Sequence, residues 1–150
     1  MAINSYHTSI TADEITDPLV IEFMHSVGEE NFLDFEVLTQ RDFMKFWPHI
    51  VINRFEDNDF TYVFFGTTLV KIFGKDRTGL KISELGNPFR KKDLTDALHK
   101  VIKTHKVVYG FGDLKVDDRE HLKWQQVKLP LRRKGEINEV LTLISFSPLS

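Results

Sequence analysis

Apolar residues recur along this chain with two periods, and the change from one to the other marks its organisation. In "TDPLVIEFMHSVGEE", Leu19, Val20, Phe23, Met24 and Val27 are spaced three and four apart, which places them on one helix face. Asp17 can cap that helix, Pro18 suits its first position, and Gly28 ends it. A second short helix is predicted over "TQRDFMKFW", with Thr39 as its cap and Pro48 beyond its end. The period then falls to two. "HIVINRF" and "DFTYVFFG" flank the turn-rich "EDND" and predict a β-hairpin. Alternation puts Tyr62 and Phe64 on one face of it, Val63 and Phe65 on the other.

Helical spacing returns in three pieces. Residues 67–73 form a short helix that Thr67 can cap. "KISELG" makes one turn, and "PFRKKDLTDALHKVIKTHK" is an amphipathic helix with an inner stripe of Leu94, Leu98, Val101 and Ile102. Three strands close the chain: "VVYGFG", "HLKWQQVKLPL" and "EINEVLTLISF", the last two joined by "RRKG". Pro130 has no N–H to give a ladder, so the middle strand is expected to bulge or unpair there. The last strand is apolar on both faces, with Leu141 and Leu143 on one and Val140, Ile144 and Phe146 on the other. It must be central and covered twice. The long helix covers one face. The stripe of the first helix is the natural cover for the other, within the subunit or across a dimer.

The glycines of "FFGTTLVKIFGKDRTG" raise the question of a phosphate loop. A P-loop needs Gly, four residues, then Gly-Lys-Ser/Thr, and a dinucleotide fingerprint needs Gly-x-Gly-x-x-Gly. Neither spacing occurs, and Asp76 after Lys75 would repel phosphate. The glycines instead read as backbone punctuation, with Gly74 expected left-handed at the end of the short helix, Gly66 and Gly79 at positive φ, and Gly74 and Gly79 turning the chain. This is scaffold chemistry rather than catalysis.

Composition narrows the classes. One hundred and fifty residues suffice for one domain with a real core. The absence of cysteine removes disulfides, thiolate metal sites and cysteine nucleophiles. No signal-like leader or membrane-length apolar run is visible, which together suggests a cytoplasmic protein without membrane contact. Residues 1–60 hold 12 of the 22 acids but three of the 20 Lys and Arg, so the rest of the chain is basic. Its basic residues are scattered rather than gathered in one arm, and nucleic acid is not the expected partner.

The order of hairpin, short helices, long helix and three antiparallel strands is that of a PAS domain. "DFTYVFFGTTLVKIFGKDRTGLKISEL" and "WQQVKLPLRRKGEINEVL" resemble a bacterial PAS-like family seen mainly in alphaproteobacteria, over about residues 39–147. One departure is that the family's usual Arg in the aromatic strand is replaced here by Val63, so no role of that Arg is carried over. The resemblance implies an α+β fold, a five-stranded antiparallel sheet with short helices and one long helix on one face. Residues 1–38 would form an N-terminal extension with its amphipathic helix, and residues 39–150 the PAS-like domain. It also implies a sensory or interaction module that binds a small ligand or a separate signalling protein and works as a homodimer.

Alternating strand positions and the helix stripe then select a pocket of Tyr62, Phe64, Leu98, Ile102, Tyr109 and Trp124, with His105 and Gln126 as polar contacts. The cofactor is left unassigned. Without cysteine, the flavin and chromophore chemistry of light-sensing relatives is excluded. Haem would need a histidine on the long helix. There His99 turns outward, and His105, near the stripe, also suits the helix C-terminal dipole. His7, His25, His49 and His121 show no metal-ligand spacing. Two other classes stay open: a cone-fold enzyme of ketosteroid-isomerase type, which needs an acid or a Tyr/His pair inside the cup, and a ligand-free structural adaptor.

Overall fold

Asp17 starts the first helix, α1 (Pro18–Val27), with its own side chain, whose Oδ1 accepts from the amides of Leu19 (2.8 Å) and Val20 (3.3 Å). Gly28, at φ 85°, ends it. These contacts are those of a computed structural model that describes residues 2–86, 88–115 and 121–148. The side chains of His7 and His121 lie outside the described residues.

The second helix differs from the expectation. A four-residue turn, α2 (Phe35–Leu38), comes first, Thr39 ends rather than starts it, and Arg41–His49 follows as a 3-10 helix. Phe43 and Phe46, three apart, eclipse in that tighter winding and are both buried. Their rings pack edge-on or tilted with Phe23 of α1 at 5.1–6.1 Å.

The fold is α+β, with an open sheet. Its strands are β1 (Ala2–Ile10), β3 (Ile50–Glu56), β4 (Asp59–Phe65), β5 (Val108–Lys115), β6 (His121–Arg133) and β7 (Glu136–Pro148), in the order β1-β5-β6-β7-β3-β4. All of these pairs are antiparallel. The two-residue β2 (Leu33–Asp34) lies parallel to Leu131 and Arg132 of β6. The sheet thus exceeds the five strands expected. Residues 2–10, which show no clear alternation, pair their backbone with β5, which would otherwise present an unpaired edge. Asp57 and Asn58, both at positive φ, close the β3–β4 hairpin in two residues. At Pro130 the ladder to β7 continues, and the register shifts one step later, between Leu131 and Arg132.

The helices α3 (Thr67–Phe73) and α4 (Pro88–Thr104) cover one face of the sheet, and α1 covers the other within the same chain. Val20 and Phe23 share a cluster with Ile50, Ile52, Val127, Leu129, Leu141 and Leu143. Leu98 and Val101 share another with Val51, Tyr62, Phe65, Leu69 and Val140. The strand β7 therefore divides its apolar residues between the two clusters, as its doubly apolar pattern requires.

Gly66 rather than Thr67 caps α3, and its φ is −64°, not positive. Its amide donates to the Ile50 carbonyl at 2.8 Å. Gly74 and Gly79 do take positive φ, at 77° and 92°.

Candidate functional site

The α4-covered face collects five of the eight residues selected from the sequence. Tyr62 and Leu98 are buried there, and Ile102 packs against them. Trp124 lies opposite Phe146 and Gln126 opposite Ile144, both partners being on the same face. The other three go elsewhere. Between Ile52 and Asn53 the β3–β4 register slips, so that Asn53 faces Tyr62 while Ile52 faces Phe64. This bulge breaks the alternation. It sends Phe64, 37% exposed, toward the α1 side and brings Phe65 beside Tyr62 instead, with ring centroids 5.8 Å apart. Tyr109 pairs with Val127 and joins the α1-side cluster, because β5 enters the sheet one residue out of the assumed phase. His105 is exposed and sits just past α4 at φ 55°, its amide closing the helix onto the Val101 carbonyl. His99, expected to face outward, packs edge-on against Phe55 and Phe60 at 5.3 and 5.0 Å.

Several residues of this face were missed. Tyr62, Phe65, Phe73 and Phe146 form a chain of ring contacts of 5.8–6.1 Å across the sheet, and Trp124 packs against its far end. A buried polar row crosses the middle. Asn53, Gln126, Lys128 and Thr142 are each no more than 3% exposed. Lys128 Nζ donates to Thr142 Oγ1 at 3.3 Å, and Asn53 Nδ2 is buried without a hydrogen-bond partner. Alternation along β6 and β7 was the available signal, since Lys128 and Thr142 share parity with Gln126 and Ile144.

Arg77 was also missed, because its loop read as punctuation. The loop is stitched to β4 by its backbone: Tyr62 N–H donates to the Leu80 carbonyl (2.9 Å) and Gly79 N–H to the Tyr62 carbonyl (2.8 Å). This holds the Arg77 guanidinium 5.0, 5.9 and 6.0 Å from the ring centroids of Phe73, Phe65 and Tyr62. Its Nη1 donates to the Tyr62 hydroxyl at 3.5 Å. Burial pushes the Tyr62 phenol above its ordinary value, against the opposing effect of the Arg77 charge, so the hydroxyl keeps its proton.

The face is therefore a packed aromatic and aliphatic layer crossed by a few buried polar side chains. Among the described residues it holds no buried carboxylate. The buried acid Glu139 belongs to the opposite side, where Arg54 and Arg133 bond it. Among the described residues no group of His, Cys, Asp or Glu is placed to hold a metal ion, and no helix is long and apolar enough to cross a membrane.

Known protein families, curated proteins and solved structures all offer no match to this chain.

Proposed function

We propose that the chain is a PAS-like sensory or interaction module, acting in the cytoplasm as a homodimer and passing its signal to a separate protein. The observation that carries this reading is one uninterrupted antiparallel run, β4-β3-β7-β6-β5. The helical segment that separates the hairpin from the three closing strands lies over one face of that run. This is the element order and layering that the PAS resemblance implies. Asn53 Nδ2, buried on the α4 side without a hydrogen-bond partner, supports a small ligand as the signal, since polar groups are rarely carried into a core without a use or a partner. A ligand-free adaptor has its own support in the continuous ring contacts that fill part of the same face.

Native mass spectrometry of freshly purified protein separates the readings. A mass above that of the 17.5 kDa chain or its dimer, lost on denaturation, is the expected result. The bare chain mass, unchanged by incubation in cell extract, would leave only the adaptor. A monomer at all concentrations would remove the homodimer.

A further inference from the structure

We infer that α4 is a hinged cover that opens as a unit, leaving the sheet while the sheet and α1 stay folded, and so brings the polar row of Asn53, Gln126, Lys128 and Thr142 into water. This is a property of the fold and holds for the sensor and the adaptor alike.

Three observations carry it. First, the closed position of α4 dehydrates a donor. The cross-strand partners of Asn53, Tyr62 and Val140, cluster with Leu98 and Val101 of α4. Phe55, next on the same strand face, meets His99 of α4 at 5.3 Å. Asn53 therefore lies beneath the helix. It is 2% exposed and its Nδ2 has no hydrogen-bond partner, a cost that water removes once the helix lifts. Gln126, Lys128 and Thr142, buried on the same face, add polar surface that the apolar stripe of α4 must cover. Second, α1 is docked differently. Val20 and Phe23 meet an apolar cluster, and Gln125 Oε1 accepts the amides of Thr16 and Asp17, at 2.8 and 2.7 Å, which pins the start of the helix to β6. His49 Nδ1 and Thr61 Oγ1, also without partners, belong to the 3-10 helix and to β4. Third, the joint at the end of α4 is short and strained. Residues 105–107 alone link it to β5, and His105 is held at φ 55°, a left-handed conformation that is unfavourable for a residue with a Cβ. Release of the helix frees His105 from it.

The test is native-state hydrogen exchange of the whole 15N-labelled chain, followed by NMR at increasing urea below the unfolding transition. The amides of Leu98, Val101 and Ile102 are expected to be protected about tenfold less, or lower still, than those of Phe23 and Met24 in α1 and of Val140 to Leu143 in β7, and to respond more weakly to urea. N53L replaces the unpaired amide with an apolar side chain of similar size. It is expected to raise the protection of the α4 amides by about tenfold, because their opening no longer hydrates a stranded donor. One protection factor and one urea response shared by α4, α1 and β7 overturns the proposal. So does α1 opening before α4, or an N53L chain whose α4 amides exchange as in the parent. Should N53L not fold, the comparison of α4 with α1 and β7 in the parent chain still decides.

Discussion

The backbone of Gly66 runs against the end of the 3-10 helix. A Cβ placed there would stand 2.5 Å from the carbonyl oxygen of Trp47 and closer still to that of Pro48. Gly66 is thus required by contact, not by φ. Gly79 is the reverse case, with φ at 92° and nothing within 4 Å of an added Cβ. The two glycines should therefore respond differently to substitution. Gly66→Ala is expected to destabilise by about 1–3 kcal/mol or more, and Gly66→Asn no less, because the backbone must move. Gly79→Ala is expected to cost about 1–2 kcal/mol, and Gly79→Asn less than that, since Asn tolerates the left-handed region. Urea unfolding of the four variants checks the pattern; a Gly66→Asn milder than Gly66→Ala would contradict it.

Phe23 is fully buried against Phe43 and Phe46 of its own chain. Phe23→Ala is expected to cost about 3–5 kcal/mol. Phe23→Asp should lose the fold rather than merely dissociate a dimer. Thermal melting with gel filtration distinguishes these outcomes, and a folded Phe23→Asp monomer would place the contact between subunits.

Glu139 is 1% exposed and bonded to Arg54 Nε (2.8 Å) and to Arg133 through two bonds of 3.1 Å. Removing it strands two half-buried guanidinium groups. Glu139→Ala is expected to destabilise by about 3–5 kcal/mol. The more exposed Asp34–Arg132 pair also forms two bonds, at 2.6 and 2.9 Å, yet Asp34→Asn should cost far less than Glu139→Ala, because solvent screens the exposed charges. Denaturant midpoints of the two variants give the comparison.

Burial pushes the His49 imidazole below its ordinary 6.5, although the Asp17 charge opposes this in part. Its Nδ1 is buried without a partner. The unfolded chain therefore takes up the proton first. Stability is expected to fall as the pH drops below about 6.5, until the depressed folded value is passed. His49→Gln should flatten the stability profile between about pH 7 and 5. A second loss belongs to a lower range. The hydrogen bond from Arg132 holds the Asp34 carboxyl below 3.8, and that stabilisation disappears as the pH falls through the lowered value. An unchanged slope near pH 6 in His49→Gln would assign it to another group.

Local physics made much of this chain legible before any contact was known. Asp17, Pro18 and Gly28 bound α1 because capping and termination act over a few residues. The apolar residues of β7 required two covers whatever those covers were, since period two sends neighbours to opposite faces. Gly74 and the Asp57-Asn58 turn are read in the same way, from backbone needs that single residues satisfy.

Contacts between distant segments decided the rest. One extra residue in β4 moves Phe64 off the face where Tyr62 lies, because a bulge inverts every later side chain, and alternation alone does not contain its position. Tyr109 followed the register of β5 against β6, which no property of "VVYGFG" specifies. Gln125, on β6, accepts the amides of Thr16 and Asp17 at 2.8 and 2.7 Å, across more than a hundred residues. Arg77 met Tyr62, Phe65 and Phe73 only because backbone bonds from Gly79 and to Leu80 laid its loop along β4. Periodicity reports which residues need burial, and which partner buries them depends on the closure of long loops, whose entropy and geometry are properties of the whole chain.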